Sequence, residues 1–136
     1  MKHYHKKRLL KLCDFLEQLQ RKDFNFNVVA ERRSCGTIAC AVGWTPAVFP
    51  RLVKWSPNKR GNRINIVLAK RHGKSHYALV ARSLFGLTSQ DSLNLFTPWY
   101  DLYVGKTELG MLTESATPKQ VAKRIRKFVR LTEQDN

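Results

Sequence analysis

Apolar residues recur near the start of the chain at helical spacing. Leu9, Leu12, Cys13, Leu16 and Leu19 stand at i, i+3, i+4, i+7 and i+10, which predicts an amphipathic helix over residues 6–20 with one face on a core. A second pattern of this kind closes the chain. Val121, Ala122, Ile125, Phe128 and Val129 form its inner stripe, and Lys119, Lys123, Arg126, Lys127 and Arg130 its outer one. Thr117 followed by Pro118 supplies a hydroxyl acceptor and then a residue already held at helical φ, so this helix is expected over residues 118–131.

Between these ends the period changes. Residues 75–96 read as a helical hairpin. Ser75 caps its first arm, Ala78, Leu79, Arg82 and Phe85 are spaced helically, Gly86 stops it, and Thr88 or Ser89 opens a second arm carrying Leu93, Leu95 and Phe96. Residues 53–70 read as a β-hairpin, with β-branched positions in 63–68 and a turn-rich Asn58-Lys59-Arg60-Gly61-Asn62 between Trp55 and Ile64. Phe24 and Phe26 alternate ahead of Val28 and Val29, which suits a short strand or a packed loop. Residues 99–105, rich in Trp and Tyr, are expected as an aromatic loop wrapped on the core.

The ten residues Cys35-Gly36-Thr37-Ile38-Ala39-Cys40-Ala41-Val42-Gly43-Trp44 carry no charge, although basic sequence flanks them. Thr37 can cap a short helix, Gly43 can end it, and Pro46 would keep it from resuming. The small residues would let another element approach closely. The expectation is a buried helix over 37–43 acting as a packing hub, with Cys35, Gly36, Thr37, Cys40, Gly43 and Trp44 in structural roles. Together these elements describe a mainly α (α+β) fold, one domain over residues 1–136 with one small β-hairpin.

Charge changes this picture from a generic helical domain to a binding protein. The chain holds 25 Lys and Arg against 10 Asp and Glu, a formal charge of +15. From residue 32 through 90 there is no acidic residue, yet eleven cations lie there. Such a segment repels itself when folded, and a polyanionic partner relieves that cost. Lys59, Arg60, Arg63, Lys70, Arg71, Lys74 and Arg82, with Tyr77 among them, are the first candidates for contacts to a phosphate-rich partner. The outer stripe of the last helix, Lys119, Lys123, Arg126, Lys127 and Arg130, is the second candidate surface.

Catalytic patterns are sparse. Cys35 and Cys40 followed by His72 and His76 have ligand chemistry suited to zinc, but 31 residues separate Cys40 from His72, and Gly73 argues against a helical His pair. A Cys–His nucleophile would lack a local orienting residue. No phosphate loop, nucleophile elbow or paired-carboxylate motif is present. Residues 75–96 resemble a helix-turn-helix in outline, yet the second arm offers only Gln90, Ser92 and Asn94 for base edges, so an ordinary αα-hairpin is the better reading. The expected function is non-catalytic binding of RNA or DNA, with no cofactor and no resident metal. The alternatives are a sponge for a cyclic or short nucleotide, an inhibitor docking on an acidic protein surface, or a zinc or thiol enzyme. With three cysteines, no signal-peptide pattern and no apolar run near the roughly 18 residues of a membrane span, the expected setting is cytoplasmic, away from membranes.

The leucine-rich first helix, the Cys35–Trp44 motif Cys-Gly-Thr-x-x-Cys-x-x-Gly-Trp, the Leu95-Phe96-Thr97-Pro98 segment and the closing Thr-Pro-x-x-Val-Ala-x-Arg-Ile-Arg run from Thr117 to Arg126 resemble a family of small bacteriophage and bacterial proteins. The resemblance covers most of the chain in order and assigns no activity. It implies a phage setting, in which a small protein disarms host defence by binding a nucleic acid, a nucleotide signal or a protein complex.

Overall fold

The computed structural model describes residues 1–33, 36–57, 61–70 and 77–134. Five helices, α1 (His3–Gln18), α2 (Thr45–Val48), α3 (Tyr77–Phe85), α4 (Ser89–Phe96) and α5 (Pro118–Gln134), combine with six strands in an α+β arrangement. The strands are β1 (Ala30–Arg33), β2 (Gly36–Ala39), β3 (Val53–Pro57), β4 (Ile64–Leu68), β5 (Leu102–Val104) and β6 (Thr107–Gly110), paired consecutively into three antiparallel hairpins.

The two long helices pack on each other and bury their apolar stripes, Leu9, Leu12, Cys13 and Leu16 on α1 and Val121, Ala122, Ile125, Phe128 and Val129 on α5, with Pro118 and Arg124 of α5 buried as well. At the start of α5, the Gln120 amide donates to Thr117 Oγ1 at 3.2 Å while Gln120 Oε1 accepts from the Thr117 amide at 2.8 Å. This reciprocal capping box satisfies two otherwise free amides. Thr88 caps α4 by accepting from the Asp91 amide at 3.0 Å, and Gly86 ends α3 at φ +62°, a left-handed conformation that glycine adopts without strain. Helix α1 begins at His3, three residues before the expected start, and α5 runs three residues past 131.

Three hairpins stand where one was expected, and two further expectations fail. Residues 36–39 are a strand, not the start of a helix over 37–43, and β2 pairs with β1 in the register Ala30↔Ala39, Glu31↔Ile38, Arg32↔Thr37. Residues 41–44 form a turn, and the helix begins at Thr45, with Pro46 in its first turn rather than blocking it. Strand pairing wins because it satisfies backbone groups along the whole segment, which a one-turn helix leaves mostly free. Residues 99–105 are likewise not a loop wrapped on the core. They include β5 of a third hairpin, in which Leu102 is buried while Trp99, Tyr100 and Tyr103 are exposed.

A tight contact joins the strands to the helices. A Cβ on Gly43 would lie 1.5 Å from the Val29 carbonyl oxygen. Around it, the Trp44 indole donates to Asp23 O at 3.0 Å and the Trp55 indole to Gly43 O at 3.0 Å, and the two rings meet edge to face with centroids 6.0 Å apart. In the β3–β4 register Trp55 stands opposite Ile66, and Ile64 opposite Pro57. The β1 edge reaches β4 through Arg32 N to Asn62 O at 2.8 Å. Replacing Gly43 by alanine forces the turn off the Val29 carbonyl. We expect Gly43→Ala to destabilise the fold by about 3 kcal/mol, the upper end for overpacking, read as a lowered urea midpoint with unchanged slope. A midpoint within error of wild type would mean that this approach is not tight.

Candidate functional site

Three depressions on one side of α1 run into one another. The first, about 320 Å³, is lined by Arg8, Leu52, Leu68, Lys70, Ser83 and Leu84. The second, about 490 Å³, lies over residues 48–52 and Lys11. The third, about 510 Å³, is bounded by Lys7, Arg8, Lys11, Asp14 and Phe49. Arg8, Lys11, Phe49 and Leu52 are each shared by two of them, so they form a groove with an apolar floor and a cationic rim.

The rim cations come from three separate segments: Lys7, Arg8 and Lys11 on α1, Arg51 in the connector after α2, and Lys70 just beyond β4. Lys7, Lys11, Arg51 and Lys70 are exposed. Arg8 is half-buried, donates through Nη1 to the Leu84 carbonyl at 3.0 Å and lies 5.1 Å from the Tyr4 ring centroid. It therefore caps the end of α3 while keeping its charge at the groove. Lys11 Nζ sits 5.6 Å from the Phe49 ring centroid. One acid lines the groove, Asp14, and it accepts from Arg126 Nη2 of α5 at 2.7 Å. The groove's own cations keep their charge uncompensated by it.

The residues expected from the sequence are scattered by this fold. Lys70 lies in the groove, and Arg82 lines an adjoining depression that shares Ser83 with it. Arg63 stands at the opposite end of β4, roughly 20 Å from Lys70 at strand rise, where its backbone bridges to Glu31. Tyr77 opens α3. Lys59, Arg60, Arg71 and Lys74 lie outside the described residues. On α5, Lys119, Lys123, Lys127 and Arg130 are exposed as an outward stripe. Arg126 is not part of it. Its guanidinium turns onto α1 and pairs with both Asp14 and Glu17, which hold its pKa above the usual arginine range. An arginine already committed to two carboxylates is a poor phosphate ligand, so it leaves the candidate set.

Sequence reasoning did not select Lys7, Arg8, Lys11 or Arg51. The i, i+4 spacing of Lys7 and Lys11 marks a shared helix face, but only the packing of residues 48–52 against α1 makes that face one wall of a groove. Arg124 was also missed. It is 6 % exposed on the inner side of α5, and its Nη2 donates to Asn94 O and Tyr100 O at 3.1 Å each. Its Nε and Nη1 meet no acceptor among the described residues. Burial lowers its pKa, and the nearby Asp101 carboxylate works the other way. In α4, Ser92 is fully buried with its hydroxyl meeting no partner among the described residues, and Gln90 donates to Asn94 at 2.7 Å on the exposed side.

The two described cysteines, Cys13 and Cys40, present buried thiols. Cys40 Sγ accepts from the Gly43 amide at 3.4 Å beside the Val29 carbonyl, and Cys13 points at the Ala122 carbonyl of α5 at 3.6 Å. Burial is the main cause raising both pKa values, that of Cys13 to about 12. Cys35, His72 and His76, the other members of the candidate zinc or thiol set, lie outside the described residues. Among the described residues no group of three or more His, Cys, Asp or Glu is placed to hold a metal, and no helix is long and apolar enough to cross a membrane. Compared with known protein families, with curated proteins and with solved structures, the chain matches none.

Because the thiolate is the reactive form, Cys13 and Cys40 are expected to stay unalkylated by iodoacetamide at pH 8 while the unfolded chain reacts at all its cysteines. Peptide mass spectrometry assigns the sites. Native labelling of Cys40 at the unfolded rate would overturn the burial argument and reopen a thiol chemistry.

Proposed function

We propose that this protein holds nucleic acid along the groove between α1, the connector after α2 and the end of β4, by contacts to the phosphate backbone. The observation that supports this reading is the convergence of Lys7, Arg8, Lys11, Arg51 and Lys70 on one groove whose single acid, Asp14, is engaged by Arg126. Neutralising phosphates releases counterions from the polymer, which drives binding whatever the base sequence. The depressions share lining residues and lie open to solvent rather than closing over a ligand, which favours a polymer over a sequestered cyclic nucleotide. Phe49 is buried in the floor at 7 % exposure, so it offers no stacking platform, and the contact is to backbone rather than to bases. The resemblance to phage proteins extends the proposal to its setting: binding of this kind would serve to disarm a host defence that works through nucleic acid.

Salt-titrated binding to single-stranded RNA, duplex DNA and a cyclic dinucleotide tests this reading. Five rim cations predict a log–log salt slope of about −3.5 to −4.5 for the polymers and no comparable affinity for the cyclic dinucleotide. Reversing Lys7 and Arg51 together should flatten the slope by about 2 and weaken binding at least about tenfold, whereas Arg63→Glu should change it by less than about threefold. Absence of polymer binding at 50 mM salt, or an Arg63 reversal as damaging as the groove pair, would refute the proposal.

A further inference from the structure

The segment between residues 83 and 118 reverses the character of the chain. It carries four acids, Asp91, Asp101, Glu108 and Glu114, against one cation, Lys106. It also carries the two most exposed aromatic residues among those described, Trp99 and Tyr103. Trp99 is 58 % exposed, Tyr103 54 % and Met111 55 %, with Tyr100 beside them. Glu108 stands opposite Tyr103 in the β5–β6 register, and its field foremost, then that of Asp101, holds the Tyr103 phenol above its ordinary pKa. Asp101, Glu108 and Glu114 are exposed and make no ion pair among the described residues.

The backbone is held out of its preferred range to display these rings. Trp99 has φ +73°, a conformation that a bulky residue rarely adopts. It is held there from both sides: its amide donates to Leu112 O at 2.9 Å, and Arg124, buried without a partner for two of its nitrogens, holds the next carbonyl, Tyr100 O. A strained residue secured by a buried charge, yet presenting its indole to solvent, gains nothing for the core. Rigidly displayed Trp and Tyr beside Asp101 and Glu108 form a surface for cations, which can stack on the rings and pair with the carboxylates, while Lys2 and Met1 line the depression on one side of Tyr103. Phosphates would be repelled by those carboxylates, so nucleic acid is a poor occupant. Two such surfaces would also repel each other, which excludes a symmetric contact of like with like.

We propose that this acidic–aromatic turn docks on the α5 stripe Lys119, Lys123, Lys127 and Arg130 of a second copy of the chain, giving head-to-tail association. The stripe is an exposed cationic face outside the groove, and it spans about 16 Å of helix, three turns whose cations make no ion pair among the described residues. Because donor and acceptor surfaces differ, the contact need not close and builds open arrays. If the groove binds nucleic acid as proposed above, copies bound side by side reinforce one another, since the polymer screens their mutual repulsion. The association itself does not rest on that reading.

Sedimentation of the full chain, alone, tests it. At about 0.15 M salt the average mass should rise with concentration, and at about 1 M salt, where screening is short-ranged, it should not. Trp99→Gly, Glu108→Lys and the pair Lys123→Glu with Lys127→Glu should each weaken association at least about tenfold. Glycine accepts φ +73° without strain, so Trp99→Gly should leave Tm unchanged or raised, whereas an indole with a merely structural role would lower it. The decisive mixture combines the Glu108→Lys chain with the Lys123→Glu/Lys127→Glu chain. Neither associates by itself, but the intact turn of the second fits the intact stripe of the first, and a dimer should form. A wild type that stays monomeric, or a mixture that does, overturns the proposal and leaves the nucleic-acid reading standing. Association without any binding of polymer would do the reverse.

Discussion

Gly43 has no side chain, and the carbonyl of Val29 fills the space where one would begin. The remaining architecture follows from that contact. It seats the 40–44 turn against the chain entering β1, with the Cys40 amide donating to Val28 O at 2.8 Å. It also fixes two indoles, since Trp44 reaches back to Asp23 and Trp55 reaches in to Gly43 itself. Segments distant in sequence are thereby held in one place without a charged group. What leaves this junction is α2 and the connector that follows, with Phe49 and Leu52 forming the floor of the groove and Arg51 its rim. The position of Arg51 opposite Lys11 is thus set by a glycine eight residues earlier in the chain.

The electrostatic arrangement is a second consequence of packing. Acids on α1 and α5 are spent along the seam between these helices, where Lys6 meets Glu133 and Arg126 meets Asp14 and Glu17. Exposed pairs of this kind contribute only about 0–1 kcal/mol each, so apolar burial holds the seam. Their larger effect is on the field. By engaging Asp14, Arg126 removes the one counter-charge the groove possesses, and the cations on its rim act together.

The helices were legible in the sequence because their evidence is local: an apolar residue every three or four positions, and caps such as Thr117 and Thr88 one turn from what they cap. The 53–70 hairpin was legible for a similar reason, through β-branched residues flanking turn chemistry. Residues 36–39 were not. A short uncharged run with a threonine before it and a glycine after it suits one turn of helix as well as a strand, and its partner, Ala30–Arg33, is a charged segment with little strand propensity. Pairing decided between them, and pairing is not written in either segment alone. The site divides in the same way. Lys70 and Arg82 could be found from the long stretch without acids, but Lys7, Arg8 and Lys11 lie outside that stretch and join Lys70 only through packing. Arg126 was misplaced because helical periodicity sees an outer stripe, and not the two carboxylates of α1 that reach across to it.

Separation of charge also bears on how such a molecule would meet a polyanion. The groove is built on α1, the connector after α2 and β4, whereas the β5–β6 hairpin packs on α4 and α5. A polymer attracted to the first surface repels the carboxylates of the second, so the approach is oriented before contact is made. On the proposed reading, a bound protein would turn Trp99 and its acidic neighbours away from the backbone. A uniformly cationic protein has no such preference and can bind in any orientation. Glu108 and Asp101 beside the exposed Tyr103, in a chain otherwise so short of acids, set this face apart from the cationic groove, and on the proposed reading that asymmetry would make binding directional.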